Sequence, residues 1–425
     1  AYLYDEDRWP SGAAVGLVTR ENPEYAKHLL RVRAGDAPEG DADQQGVFAV
    51  RLDESGRLTG YEAVEAAGEA GEGALAVAFD VVVAGPAGQH NDAPYLDTMN
   101  PEAVEEFLHV THQAYADRYS KRFGELVPAI FTDEPNYGRL GARDGERHLQ
   151  WTPALPREFR RRRGYDLRDH LPELAYPTAE GFSKVRCDYR RTLTELFVES
   201  FTRQIGAWCG RNNIALTGHM LEEQTLSSQT NVTGACMPHY EHMQWPGIDI
   251  LTDQARELAT AKQCSSAADQ LERERVLSEL YGCTGWDWPL EGHKFVGDWQ
   301  FACGVNFRCP HLTHYSLAGG AKRDYPASIC AHSPWWGYYD VVEDYFARIH
   351  AVMTRGREVR DVLVIHPIES MWMLFNVQWR GNREVAEYDE MLIRLRDSLL
   401  AANIDFDYGE EDILARHGTV ESGSG

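Results

Sequence analysis

No apolar run in this chain of 425 residues approaches the roughly 20 residues needed to cross a bilayer, so a membrane-spanning role is not expected. Positive charge is scarce. Lys and Arg number 42 against 66 Asp and Glu, and the net charge of −24 repels both phosphate backbones and anionic lipid surfaces. Neither nucleic acid nor membrane is an expected partner. The 8 cysteines form no Cys-x-x-Cys pair and no dense framework, which favours reduced, buried thiols over disulfides or a thiolate metal site. A Gly-x-Gly-x-x-Gly loop is missing, so no nucleotide is assigned. Gly-x-Ser-x-Gly is missing too, and Pro10-Ser11-Gly12 sits in a turn without the strand-to-helix setting of a serine nucleophile. Gly218-His219-Met220-Leu221-Glu222-Glu223 lacks the second histidine that a His-Glu-x-x-His zinc site requires. The first residues, Ala1 to Glu6, do not read as a signal peptide. A soluble, cytoplasmic protein is expected, with secretion open if residues precede Ala1.

What the chain does have is carboxylates placed after apolar runs. Val127 to Phe131 leads into Thr132-Asp133-Glu134-Pro135, the pattern of a buried strand that delivers an acid to the open end of a barrel. Val276-Leu277-Ser278-Glu279-Leu280-Tyr281-Gly282 repeats it further along the chain. Two strand-end carboxylates are what glycoside hydrolysis asks for: one protonates the leaving oxygen, and the other attacks or activates water. Glu134 and Glu279 are therefore the candidate catalytic pair.

The intervening chain alternates strands with helices. Tyr2-Leu3-Tyr4 opens it, followed by the acidic, turn-rich loop Asp5 to Gly12. Residues 45–90 read as a β insertion, with strands at Val47–Leu52 and Ala74–Val83 joined by Gly-rich turns. A helix is expected from Pro101, capped by Asn100, to about Phe123, and another from about Phe182 to Arg211. Strands then end at His219, at Asp253 and at Glu279, with a last one before Tyr315. Strands alternating with helices, with polar residues at the strand ends, predict an α/β fold of the (β/α)8 TIM-barrel type over residues 1–355. If the strand before Glu134 is the fourth, Tyr2–Tyr4 becomes the third, and the first two strands are absent from the chain as given. From about Gly356 a β-α-β unit, Val362–Ile365, Tyr388–Ala402 and Ile404–Tyr408, starts a partial doubly wound domain over 356–425.

Around the two glutamates, Asp133 and the loop residues Asp5, Glu6 and Trp9 are candidates to line the mouth. His219 and Glu223 suit hydrogen bonding to sugar hydroxyls, with Glu223 a reserve acid, and Asp253 and Tyr281 stand at strand ends. His311 and His314 read equally as hydroxyl ligands or as core histidines. Trp286, Trp288, Trp335 and Trp336 read equally as sugar-stacking platforms or as helix packing. Lys322-Arg323-Asp324 is expected to be a loop-fixing charge pair. Two further classes remain open. A non-catalytic carbohydrate-binding barrel would keep the fold without turnover, and a metal-dependent hydrolase or isomerase would need His219, Glu223, His311 and His314 to converge.

Taken in order, several of these stretches resemble the motifs of bacterial α-L-rhamnosidase-like glycoside hydrolases, family 106. They are Tyr4-Asp5-Glu6 through Trp9-Pro10-Ser11-Gly12, Phe131 to Pro135, Gly218-His219 with Glu223, Pro246-Gly247-Ile248-Asp249, Ser278 to Gly282, and His311 with Tyr315-Ser316. The resemblance implies a (β/α)8 barrel with the general acid on the fourth strand, matching Glu134. The partner carboxylate falls on the seventh, matching Glu279, and acts as the base of an inverting mechanism. It implies a glycoside or oligosaccharide substrate. The residues themselves require no cofactor; the resemblance adds calcium, with no ligand set assigned to particular residues. Val362 to Tyr408 resembles the glutamine-amidotransferase-like domain of trimeric-type β-galactosidases, which serves assembly and implies a homo-oligomer. Those galactosidases retain configuration, with the seventh-strand carboxylate as nucleophile, so the two resemblances assign Glu279 different roles.

Overall fold

The computed structural model describes the chain except residues 1, 7, 36–42, 144–145, 253–256, 321–322, 324–328 and 420–425; the side chains of 142–146 are also left aside. Asp253, Lys322 and Asp324 therefore lie outside the described residues, as does the Gly- and Ser-rich tail.

Six parallel strands form the central sheet. In spatial order they are Leu3–Tyr4, Ala129–Asp133, Ala215–His219, Trp245–Ile250, Leu277–Leu280 and Phe307–Pro310. They follow one another in the order expected for the third to eighth strands, but the last ends at Pro310, short of Tyr315, which is fully exposed. Among the described residues they make a curled, open half-barrel, not the closed eight-stranded barrel. Ala129, Ile130, Phe131 and Thr132 are all buried, and so is every residue of Ala215–His219, the pattern of strands covered on both faces. Backbone contact between these two strands is close. Gly218 sits at φ +120°, and a Cβ there would lie 1.8 Å from the Thr132 carbonyl oxygen, so no other residue fits.

The helices begin and end largely where the sequence places them. Asn100 Oδ1 accepts from the amides of Glu102 (3.0 Å) and Ala103 (3.3 Å), with Pro101 in the first turn, which starts the helical run that leads to Tyr119. That run and the one from Lys184 to Arg211 each contain a π-helical stretch, His109–Gln113 and Val198–Arg203. A further helix, Leu290–Ala302, follows the Leu277–Leu280 strand.

The β insertion is larger than expected. An antiparallel sheet orders Leu58–Val64, Asp43–Leu52, Leu75–Val83, His28–Ala34, Glu146–Trp151 and Gly141–Arg143. The His28–Ala34 strand escaped notice because it carries Arg31 and Arg33. Their partner, the fully buried Asp80, comes from another strand, with Arg33 Nε donating to it at 2.9 Å. The last two strands belong to the loop that follows Glu134.

After the expected boundary near Gly356, the strands Leu363–His366 and Asp407–Glu410 pair in parallel, with the Arg383–Ala401 helix between them in sequence. Val364, Ile368, Met371, Trp372, Phe406 and Tyr408 join the same buried cluster as the half-barrel. Trp372 Nε1 donates to the Gly234 carbonyl at 3.0 Å, and the buried Lys262 donates to Asp405 at 2.8 Å.

Candidate active site

The strand-end residues converge because register sets them side by side. Asp133 pairs with His219 across one strand boundary, and Asp249 with Glu279 across another. Their side chains meet at the imidazole of His219. Its Nε2 lies 2.9 Å from Glu279 Oε2 and 3.7 Å from Asp133 Oδ1. Glu134 and Asp249 offer carboxylate oxygens to the same ring, the three groups lying within 4.8 Å of one another. His311 Nε2 stands 3.7 Å from Glu279 Oε1, so Glu279 sits between two imidazoles.

Glu134 is held in an uncommon backbone conformation. Its φ is +48°, left-handed for a non-glycine residue, and its amide donates to the His219 carbonyl at 3.2 Å. That conformation ends the strand and directs the side chain toward His219, while Trp9 Nε1 donates to its Oε2 at 2.5 Å. Asp133 accepts from the Tyr4 hydroxyl on the neighbouring strand.

Four carboxylates around one buried imidazole cannot all ionise cheaply, and the cluster divides its protons. Burial alone would depress His219, but the Glu279 hydrogen bond and the charges of Asp249, Glu279 and Asp133 raise it well above its ordinary value. Burial would raise Glu279, yet the hydrogen bond and charge of His219, with the charge of His311, hold it below the usual carboxylate range. Glu134 goes the other way. Burial, with the charges of Asp133 and Glu279, outweighs His219 and the Trp9 hydrogen bond and pushes it up to about 7. Burial likewise raises Asp133 and, to a greater extent, Asp249.

Other sequence candidates lie elsewhere. Asp5 is one layer behind, accepting from Ser11 Oγ at 2.5 Å, and burial lifts it to about 7. Glu6 accepts from the Ala14 amide at 2.5 Å; with Asp5 it borders a cavity of 400 Å³ whose walls include Leu17, Tyr115 and Tyr119. Glu223 is buried, receiving the Tyr240 hydroxyl at 2.5 Å and the Met220 amide at 3.3 Å, and burial raises it to about 8. Tyr281 turns into a core cluster with Trp288, its hydroxyl donating to the His293 carbonyl and accepting from Arg308 Nε, both at 3.1 Å. Trp286 and His314 pack on each other with ring centroids 5.5 Å apart; Trp336 stacks on Tyr339, and Trp335 is half-buried.

Sequence reasoning did not single out Asp249, Tyr4 or Ser11 as members of this cluster. The signal for Asp249 was a charge inside the apolar run Ile248-Asp249-Ile250, where every second residue faces the same way.

Two groupings among the described residues offer three metal ligands each, Asp133-His219-Glu279 and Glu134-His219-Asp249. Both centre on an imidazole. Calcium takes six to eight oxygen ligands, and neither grouping supplies such a cage, so no step is assigned to calcium here. The set His219, Glu223, His311 and His314 does not gather at one point either, since Glu223 is engaged by Tyr240 and His314 packs on Trp286.

Residues 82–375 match the family described as alpha-L-rhamnosidase. The chain belongs to glycoside hydrolase family 106. This family 106 chain is also similar to three further proteins. A Formosa agariphila protein provisionally named a beta-glucuronidase is 24% identical over 278 residues, which are 63% of this chain and 22% of that protein. A rhamnosidase from Novosphingobium sp. PP1Y shares the fold at a TM-score of 0.57 and 22% identity, over 81% of this chain and 32% of that one. Gan42B, a GH42 beta-galactosidase, shares it at a TM-score of 0.51 and 12% identity, over 75% of this chain and 50% of that one. The family 106 chain thus spans less than a third of the curated relative and of the rhamnosidase.

Proposed function

We propose that this chain is the catalytic module of an α-L-rhamnosidase in which Glu134 is the general acid and Glu279 the ionised partner. The observation that carries the proposal is the unequal surroundings of the two glutamates: Glu279 is hydrogen-bonded to His219 and lies beside His311, while Glu134 is bonded by the Trp9 indole. A glycosidase needs one carboxyl that keeps its proton near neutral pH and one that has lost it. Burial pushes Glu134 up to about 7, while the His219 hydrogen bond keeps Glu279 a carboxylate.

In the reaction, Glu134 gives its proton to the glycosidic oxygen as the bond to the anomeric carbon breaks. Glu279 takes a proton from the water that attacks that carbon from the opposite face. Family membership supports this water-activating role over direct attack; a separation of about 6.5–9.5 Å between the carboxyls with sugar bound would suit inversion, and about 5 Å retention.

The charge of the site speaks to the sugar. Asp133, Glu134, Asp249 and Glu279 face two imidazoles, His219 and His311. A uronate would add a fifth carboxylate to a cluster that already cannot ionise all four of its own, which favours a neutral rhamnoside over the glucuronide in the name of the Formosa relative. The segment after Gly356 fits an amidotransferase-like unit serving assembly, with Leu363, Ile365, Met391 and Leu395 exposed for contact between copies.

The test is a panel of rhamnoside, galactoside and glucuronide with the product anomer followed by NMR, run on the full-length protein and on Glu279→Gln. Rhamnoside turnover that releases the inverted sugar and is lost in the variant supports the proposal. Equal, near-zero rates for both proteins would make the chain a carbohydrate-binding module instead.

A further inference from the structure

The acid residue has a partner whose role the mechanism above leaves undefined. Trp9 lies in the loop between the Leu3–Tyr4 strand and Ser11, and this loop is fastened to the acid's own strand at both ends. The Asp5 amide donates to the Phe131 carbonyl at 3.0 Å and the Ser11 amide to the Asp133 carbonyl at 2.8 Å. Ser11 Oγ in turn accepts from the Asp133 amide at 2.7 Å and donates to Asp5 at 2.5 Å, while the Tyr95 hydroxyl donates to the Ser11 carbonyl at 2.5 Å. So clamped, the loop presents the indole at a fixed place. Trp9 itself is 40% exposed, which a residue kept for core packing would not be.

An indole N–H can only donate. A protonated carboxyl has one hydroxyl oxygen and one acceptor oxygen, so the oxygen that receives the N–H is the acceptor and the proton sits on the other. Trp9 Nε1 donates to Oε2 of Glu134, and among the described residues no other side chain hydrogen-bonds this carboxyl. We propose that Trp9 is a positioning residue for the acid: it holds Oε2 and thereby makes Oε1 the oxygen that carries and delivers the proton. The step balances. The Oε1 proton passes to the glycosidic oxygen, and the electrons of the bond to the anomeric carbon stay with that oxygen, which leaves as the alcohol. Glu134 becomes a carboxylate whose Oε2 already holds a charge-assisted hydrogen bond.

This inference rests on Glu134 being the general acid, and the test separates the two. Trp9→Phe keeps an aromatic ring and removes the N–H. Phenyl and 2,4-dinitrophenyl α-L-rhamnopyranosides differ in how much the departing oxygen needs a proton. For Trp9→Phe, kcat on the phenyl glycoside is expected to fall ~10–100-fold, part of the 10²–10⁴ that a positioned acid supplies, and on the dinitrophenyl glycoside less than ~3-fold. The alkaline limb of kcat/KM should also move upward, because a donor to the carboxylate is gone while Asp133, His219, Asp249 and Glu279 still face it. An equal loss on both substrates, or no loss on the phenyl glycoside, overturns the role of Trp9. If Glu134→Gln also fails to discriminate the two leaving groups, or if the unaltered protein hydrolyses neither, the assignment of Glu134 falls with it.

Discussion

Replacing Glu134 by glutamine should inactivate the protein and stabilise it at the same time. In the folded chain the carboxyl is lifted from 4.5 to about 7, burial being the main cause. Unfolding returns it to its ordinary value. Between these two values the native state holds a proton that the unfolded chain has released, so stability falls as pH rises through this window. Above about pH 7 the penalty is fully present, and at about 1.4 kcal/mol per pH unit it amounts to about 3 kcal/mol. Glutamine is neutral and nearly isosteric, and its amide oxygen still accepts from Trp9. Urea unfolding of Glu134→Gln against the parent should therefore show a gain of up to about 3 kcal/mol at pH 8, shrinking below about 1 kcal/mol at pH 5, where the parent carboxyl is largely protonated when folded. Over the same series, kcat should drop by ~10²–10⁴ on glycosides with poor leaving groups. The parent's activity should fall as pH rises through about 7, and that limb should vanish in the variant. Unchanged or lower stability at pH 8 would show that Glu134 is not the strained, proton-holding carboxyl described above.

His219→Gln strips the buried carboxylates of their counter-charge. Its expected cost is ~3–5 kcal/mol in urea unfolding at neutral pH, and the acid limb of the activity profile should move to higher pH as Glu279 loses the bond that keeps it ionised. Gly218→Ala would drive a Cβ into the Thr132 carbonyl at 1.8 Å; at least ~3 kcal/mol of destabilisation or failure to fold is expected, read by circular dichroism and expression yield. Arg360 is nearly enclosed among Asp269, Glu358, Asp405 and Asp407. Arg360→Ala should cost ~3–5 kcal/mol by leaving those carboxylates together, and limited proteolysis should then cut first after Gly356.

Much of this protein was legible in the order of its residues. The run Val127 to Phe131 ahead of Asp133 and Glu134 announces a doubly buried strand that ends in acids, because a strand covered on both faces must be apolar throughout until it reaches solvent. The same rule located Glu279 and the order of the six parallel strands, and Asn100-Pro101 announced a helix start because capping is chemistry between near neighbours. The strand His28–Ala34 stayed hidden, since Arg31 and Arg33 look like surface residues until Asp80 is placed beside them. Asp249 went unseen as a member of the site for a related reason. A lone aspartate in a strand acquires meaning only when register sets it beside Glu279 and the curl of the sheet turns both toward His219. The sequence by itself determined that Asp133, Glu134 and Glu279 stand at or just past the ends of apolar strands. Tertiary structure alone decided which of them keeps its proton, because a pKa is set by burial and by charges a few ångströms away, and those neighbours come from strands far apart in the chain.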